Sequence, residues 1–157
     1  FYLANQPRAG QRLLAPVGVY FTDDSAYTAR VSIHAPESGQ TTAEAALDGE
    51  WKRAPAVLKA IGIEHIRVPR PPVAERVGST VGDSSRFYPG LRASAEFGPN
   101  DHIEFGVLFL VYMGDRCLTI AVTQARNGPA SSVLGQAEAF ANRFVLAHAL
   151  GSRVPPL

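Results

Sequence analysis

The chain contains little cysteine, little lysine and almost no net charge. Its one cysteine, Cys117, cannot form a disulfide within the chain, so no covalent staple contributes to the fold. Fifteen basic and fourteen acidic residues leave a formal net charge of +1. Such a balance gives no long-range field that would attract a phosphate backbone, so nucleic acid is not expected as a partner.

Long hydrophobic runs are also absent. The longest strongly apolar run, Val107 to Met113, is far shorter than the roughly 20 residues that a membrane-spanning helix requires. We therefore predict no transmembrane segment, while peripheral association with a membrane stays compatible with the sequence. The chain begins at Phe1 and not at methionine, which indicates a processed or trimmed form whose targeting segment is not visible.

The common local motifs for nucleotide and metal binding are missing as well. The sequence has no GxGxxG loop and no GxxxxGK loop followed by Ser or Thr, the glycine patterns that let backbone amides face a phosphate. It also lacks HExxH and CxxC, the two commonest local arrangements of metal ligands. We predict no cofactor.

The composition is that of a globular protein. Hydrophobic residues make up 46% of the 157 residues and charged residues 18%. A chain of this length buries roughly 70% of its unfolded surface, which is enough for a core of its own. We predict a single α+β domain over residues 13–151, with an entry arm at 1–12 and a tail at 152–157.

A hairpin and a helical region open the predicted domain. Leu13 to Phe21 is rich in β-formers and Tyr27 to Ile33 alternates, which together predict a β-hairpin. Thr41-Thr42-Ala43-Glu44 has the form of a capping box, in which a hydroxyl accepts from the N3 amide and Glu44 reaches back to the cap amide. A helix therefore begins here. Pro55 predicts a division into two short helices, the second ending at Gly62.

The middle of the chain predicts a β-meander. Ile63 to Val68 and Val73 to Val81 have β character and are separated by a proline-rich segment. Arg86 to Phe97 predicts a further strand that is broken or bulged at Pro89-Gly90.

The strongest local pattern is an apolar hairpin followed by a helix. Two β-rich runs from Ile103 to Thr123 flank a turn in which Gly114 suits the first central position of a type II′ turn. Val107 to Tyr112 is apolar on both faces, which predicts a central strand covered on both sides. Ser131 or Ser132 is the predicted cap of a C-terminal helix. The helix residues that we expect to pack on the sheet are Val133, Ala137, Phe140, Ala141, Phe144 and Ala147.

One cluster of residues has the spacing of a metal or acid–base site. Asp101, His102 and Glu104 come closest to it, because residues two apart on a strand project from one face and can share a cation. They also flank a turn, so a solvated start of a strand is the alternative.

Gly82-Asp83-Ser84-Ser85 is similar to the start of a lipase-type GDS motif, but it lies between strands and no Asp-x-x-His follows it near the C-terminus. We interpret it as a turn.

Three arginines are the predicted partner-binding residues. Arg67, Arg70 and Arg76 bracket a proline-rich segment, and a stiff extended loop can present guanidinium groups to a carboxylate or a phosphate. A solvated loop and a merely compositional excess of arginine are the alternatives.

Trp51 is interpreted as a core or lid aromatic. His148, in the last turn of the C-terminal helix, is interpreted as a structural residue whose partial positive charge suits the helix dipole.

Three stretches of sequence carry a resemblance to a known fold family. They are Phe87-Tyr88-Pro89-Gly90-Leu91-Arg92, Gly114 to Val122, and Phe140 to Phe144. Together with the order of predicted elements, this pattern resembles the PsbP and Mog-type fold of photosystem lumenal proteins and DcrB- and LpqN-like envelope proteins. The chain lacks the Pro-x-x-Trp start usual there, so no functional residue is transferred. The resemblance implies a noncatalytic assembly or binding protein of a lumen, periplasm or cell envelope.

Two functional hypotheses follow from the sequence. The first is a noncatalytic binding or assembly module, an auxiliary subunit of a larger, membrane-associated complex, with a protein partner. The second is a small-ligand or metal-dependent enzyme whose site is assembled from residues distant in sequence. The first predicts a copurifying partner, and the second predicts a bound metal or ligand.

Overall fold

The computed structural model describes residues 2–3, 17–21, 26–37, 39–81, 84–98, 102–124 and 130–150. In chain order the elements are β1 (Tyr2–Leu3), β2 (Val17–Phe21), β3 (Tyr27–His34), α1 (Ala43–Ala60), β4 (Ile66–Arg67), β5 (Val73–Val81), β6 (Ser84–Phe97), β7 (Glu104–Tyr112), β8 (Cys117–Gln124) and α2 (Ala130–Leu150). They form one antiparallel sheet with a helix on each face, which confirms the predicted α+β class.

The sheet places the predicted apolar hairpin at its centre. Its described strands follow the order β1-β2-β3-β8-β7-β6-β4, and β5 lies beside β4 along the same edge of the 14-residue strand β6. At the far edge, Tyr2 and Leu3 of the predicted entry arm pair with β2. Residues 22–25, which separate β2 from β3 in the sequence and for which a turn is predicted, lie outside the described residues.

Strand β7 is apolar on both faces because a helix covers each of them. Val107, Phe109 and Val111 point towards α2, whereas Leu108 and Leu110 point towards α1. This confirms the prediction of a central, doubly covered strand. The β7–β8 turn has Gly114 at φ +86, with Met113 N–H donating to the Arg116 carbonyl at 2.9 Å across it. Positive φ at the first central position is the geometry predicted for Gly114.

The predicted division of the first helical region is wrong, because α1 is one continuous helix of 18 residues with Pro55 inside it. Buried residues lie on both sides of the proline, Leu47 in the first half and Leu58 in the second, and both pack against the same face of the sheet. Packing on a rigid sheet compensates for the one backbone hydrogen bond that proline removes.

The start of α1 confirms half of the predicted capping box. The N-cap is Thr42, whose hydroxyl accepts from Ala45 N–H at 3.2 Å. Glu44 therefore occupies the second helical position and not the third, from which a carboxylate reaches the cap amide. Its charge still lies in the first turn, where it interacts favourably with the helix dipole.

The break predicted at Pro89-Gly90 is also wrong, since the β5–β6 register runs without interruption from Val73↔Arg92 to Val81↔Ser84. Gly78 donates its N–H away from β6, to Asn142 Oδ1 at 3.0 Å. Because N–H directions alternate along a strand, Arg76 also points its N–H away from β6. Arg76 and its partner Pro89 therefore form a pair without hydrogen bonds, so the pairing with β5 does not need the N–H group that Pro89 lacks. On the other side of β6, pairing with β7 begins only at Gly90, so Pro89 does not need to donate a hydrogen bond to β7 either. Proline is therefore tolerated at this position.

Helix α2 begins earlier than predicted, at Ala130, so Ser131 and Ser132 lie inside its first turn and are not its cap. Five of the six predicted core residues are buried: Val133, Ala137, Phe140, Ala141 and Phe144. Ala147 is exposed instead, and the stripe continues through Val145, His148 and Ala149.

Among the described residues, neither helix combines the length and the apolar character needed to cross a bilayer.

His148 corrects the sequence interpretation of a partial positive charge at the helix end. Burial, with a smaller contribution from Arg116, lowers the pKa of His148 to about 4. Its ring lies against Phe144, with centroids 4.9 Å apart, and Nε2 has no hydrogen-bond partner in the described part of the chain. His148 is therefore a neutral core residue at physiological pH.

Candidate functional site

The face of the sheet under α1 is only partly covered, and the uncovered part forms a groove. Helix α1 packs mainly on β7, β8 and β6. Between the N-terminal half of α1 and the β5–β6 pair lies an open groove of about 860 Å³. This volume lies within the range of known ligand pockets.

The floor of the groove is apolar and its walls come from three separate parts of the chain. The residues that line it are the N-cap Thr42, then Ala43, Glu44, Ala45, Leu47, Asp48 and Trp51 of α1, then Pro72, Ala74, Glu75 and Arg76, and finally Pro89, Gly90 and Leu91 of β6. Trp51 and Leu91 are half-buried and pack against the core cluster below α1. Trp51 is therefore a wall aromatic with one side in the core and the other beside the groove.

Charged residues border the groove on both sides. Glu44 and Asp48 project from α1, and Asp48 is paired with Lys52 at 3.0 Å in an exposed ion pair. Arg76 projects from β5 and is exposed, with its guanidinium carbon 5.5 Å from the centroid of the Phe87 ring. This cation–π contact orients the Arg76 side chain over β6 without neutralising its charge.

The three arginines predicted to bind a partner lie in different environments. Arg67, in β4, is paired with Glu96 at 3.3 Å and donates to the Gly98 carbonyl at 3.2 Å. It therefore ties β4 to the end of β6. Arg70 is exposed in the segment between β4 and β5, and only Arg76 lines the groove. Arg70 and Arg76 thus have exposed side chains without an ion pair among the described residues, whereas Arg67 is ion-paired.

The predicted metal cluster is only partly described. Asp101 lies outside the described residues, His102 is exposed just before β7, and Glu104 is the half-buried first residue of β7. Neither His102 nor Glu104 lines the groove. Within the ranges that the structure describes, no group of three or more His, Cys, Asp or Glu side chains is arranged to hold a metal ion.

A second polar site lies buried beneath α1. Glu50, with only 1% of its side chain exposed, bonds to His34 Nε2 at the end of β3 and to Arg53 on its own helix. Arg53 Nε donates to Glu50 Oε1 at 2.9 Å, and Arg53 Nη2 also donates to the Ala35 carbonyl at 3.1 Å. Cys117 of β8 is the Cα partner of His34. We call these four side chains, His34, Glu50, Arg53 and Cys117, the Glu50 cluster.

The electrostatics of the Glu50 cluster favour a structural role. Burial opposes ionisation of Glu50, but hydrogen bonds and charge from His34 and Arg53 outweigh it, so the pKa of Glu50 lies below its ordinary value. Burial, reinforced by the nearby Glu50 charge, raises the pKa of Cys117 to about 12. A thiol must ionise to act as a nucleophile, and Cys117 is fully buried as well. The cluster therefore connects α1 to β3 and β8 and does not form a Cys–His catalytic pair.

Sequence reasoning missed Glu50, although a signal for it exists. The buried residues of α1 include Ala46, Glu50, Ala54 and Leu58, each four positions from the next. A spacing of four places Glu50 on the same face as the apolar residues. A carboxylate on that face requires a partner that donates hydrogen bonds to it. Its partner His34 is 16 residues away and on a different element, so the sequence does not identify it.

Comparison with known proteins places no further constraint on the site. No protein-family model and no curated protein sequence matches the chain.

Proposed function

We propose that this protein is a noncatalytic binding or assembly module that holds a protein partner in the groove between α1 and β5. The observation that carries the proposal is an open, apolar-floored groove beside a strand edge, bordered by an exposed arginine. Apolar pockets with a few convergent polar groups are the usual form of binding sites. Known interfaces are enriched in tryptophan and arginine, the two side chains placed here at Trp51 and Arg76.

The resemblance in element order to PsbP and Mog-type proteins supports the same role, since it implies an assembly or binding protein, in a lumen, periplasm or envelope. An auxiliary subunit of a larger, membrane-associated complex would use such a groove as its contact with the other subunits. The rival proposal is a small-ligand or metal-dependent enzyme whose site is assembled from residues distant in sequence, with Asp101, His102 and Glu104 as its best candidates. Of these, His102 and Glu104 do not line the groove.

A site-specific photocrosslinker tests the proposal. Ala74 is exposed and lines the groove, whereas Ala147 is exposed on α2, across the sheet. With benzoylphenylalanine at position 74, we expect a discrete adduct in the cells that produce the protein, which mass spectrometry identifies. The same residue at position 147 should not give that adduct. The identified partner is then purified and its affinity for the full chain measured.

Two matched substitutions assign the partner to the groove. Ala45→Phe places a bulky ring in the groove from an exposed position of α1, and Ala147→Phe makes the same change on the other side of the sheet. We expect Ala45→Phe to weaken the partner's affinity about tenfold or more, because the ring occupies its space, while Ala147→Phe leaves it unchanged. Equal affinity of both folded variants would refute the groove as the binding site.

A further inference from the structure

The outer edge of β5 is a strand edge with backbone groups available for pairing. In the described part of the chain, β5 pairs only with β6. Gly78 N–H points away from β6 and is bonded to Asn142 of α2. By the alternation of N–H groups along a strand, Ala74 and Arg76 point their N–H and C=O groups to the same outer side. Both residues are exposed, so the Asn142 contact covers the edge at Gly78 but not at these two positions.

The side chains next to this edge form a repeated pattern. Ala74 and Arg76 are two residues apart, lie on one face of the sheet and both line the groove. Ala74 is small, so the space above Leu91, its cross-strand partner, stays open. On the opposite face Val73 is 54% exposed, the largest exposed fraction of the large hydrophobic side chains that the structure describes.

The charge at the β5 edge selects the kind of partner, since the acidic residues Glu44 and Asp48 lie on the opposite, α1 side of the groove. Arg70 and Arg76 form no ion pair with a carboxylate in the described residues, whereas Arg67 and Arg92 are paired with Glu96 and Glu75. A second copy of the chain pairing through β5 would bring two sets of these arginines together, which is unfavourable. A segment that carries carboxylates gains charge-assisted hydrogen bonds at the same place.

We propose that the partner supplies an extended, acidic and apolar peptide segment that adds to the sheet as a strand beside β5. Its backbone pairs with Ala74 and Arg76, an apolar side chain enters the groove opposite Ala74, and a carboxylate two residues along the peptide meets Arg76. Addition of a strand to a free edge takes affinity from the backbone and specificity from alternate side chains. This inference rests on the proposed function and names the partner's binding segment.

Synthetic peptides test the inference with the full chain. The probe is the octapeptide Thr-Leu-Thr-Asp-Thr-Leu-Thr-Asp, which places Leu and Asp two residues apart on one face of a strand. Trp51 is the only tryptophan of the chain, so its fluorescence reports occupation of the groove. We expect saturable binding, with affinity about tenfold or more above that of the same peptide with Lys in place of Asp, and a preference that weakens in salt.

Two further probes separate strand addition from other ways of filling the groove. N-methylation of every second amide removes the donors of one peptide edge. We expect one methylation register to abolish binding and the other to be tolerated, because only one edge of an added strand pairs with β5. In the complex, hydrogen exchange at the Ala74 and Arg76 amides should slow about tenfold or more, since both become bonded.

Substitution of Arg76 tests the charge pairing. Arg76→Ala should remove the preference for the Asp peptide over the Lys peptide. Arg143→Ala, at an exposed position of α2, should preserve it.

The outcomes distinguish this inference from the proposed function. If the crosslinked partner binds in the groove but the Ala74 and Arg76 amides stay unprotected, strand addition is wrong and the binding module stands. If the octapeptide fails to bind at millimolar concentration, or both methylation registers bind equally, the inference is overturned whatever the crosslinking shows. If the peptide binds as expected while no crosslinked partner is found, strand addition at this edge stands and the proposed cellular role fails.

Discussion

The two faces of the sheet are filled in different ways. On the α2 face the buried side chains form one continuous apolar cluster that extends across β3, β8, β7, β6 and β5. On the α1 face the helix packs mainly on β6, β7 and β8, includes the ionised Glu50 among its buried residues, and leaves a groove over β5. The α2 face provides the larger share of the core, and the α1 face has the space and the charge for a partner.

This difference predicts that substitutions in the different regions change the stability of the protein to different extents. Changes on the α2 face should alter stability most. Changes in the Glu50 cluster should have an intermediate and pH-dependent effect, because a carboxylate there is held by His34 and Arg53, whose side chains are partly exposed. Changes of the exposed arginines beside the groove should leave stability almost unaltered.

The largest expected effect is that of Phe144→Ala. Phe144 is buried on the α2 face and stacks on Phe140, with ring centroids 5.6 Å apart. We expect a loss of about 3 to 5 kcal/mol in the free energy of unfolding, because the substitution leaves a cavity against the central strands. Urea denaturation measures it. The control is Phe105→Ala, at a ring 43% exposed in β7. Equal losses for the two would show that Phe144 does not contribute a buried ring to the core.

His148 should make the α2 face sensitive to acid. Its pKa is lowered from 6.5 to about 4 in the folded protein, so between these values the unfolded state binds more protons and stability falls as pH falls. One pKa unit corresponds to about 1.4 kcal/mol, which gives a loss on the order of 3 kcal/mol across this window. His148→Leu should reduce that loss, measured by urea denaturation at neutral pH and near pH 4. The exposed His65→Leu is the control, and an unchanged pH dependence in His148→Leu would refute a buried neutral imidazole.

Glu50→Ala should have an intermediate effect. We expect a loss of about 2 kcal/mol at neutral pH, below the usual cost of breaking a fully buried ion pair, because His34 and Arg53 are partly exposed and regain water. Since the pKa of Glu50 is depressed below 4.5, its stabilisation is present above that value and is lost as pH falls through the folded pKa. Asp48→Ala, at an exposed residue of the same helix, should cost less than about 0.5 kcal/mol. Losses of similar size in both variants would show that the Glu50 cluster does not stabilise the contact between α1 and the sheet.

The smallest expected effect on folding is that of the double substitution Arg70→Ala with Arg76→Ala. Both side chains are exposed and unpaired with a carboxylate among the described residues, so the melting temperature should stay nearly unchanged. Arg67→Ala should cost up to about 1 kcal/mol, because Arg67 bonds Glu96 and the Gly98 carbonyl. A larger loss in the double variant than in Arg67→Ala would show that Arg70 and Arg76 are internal structural residues.

Much of the fold could be predicted from the sequence because its signals are local. Alternation in β3, the doubly apolar β7, the glycine turn at Gly114 and the helical spacing of Phe140 and Phe144 each depend on neighbours within a few residues. The errors occurred where tertiary packing opposed a local preference. Pro55 favours a helix end, but packing of α1 on the sheet keeps the helix continuous. Pro89 favours a strand break, but it lies where β6 needs no donor.

The sequence by itself determined the class of this protein, the position of its central hairpin and the apolar stripe of its last helix, because periodicity is a property of adjacent residues. Only the tertiary structure decided which faces meet. It brings Glu50 against His34 and Cys117, and it places Trp51, Leu91 and Arg76 around one groove. These contacts join residues far apart in sequence through strand order and helix placement. No local pattern specifies either of these, since they follow from the free energy of the whole packed core.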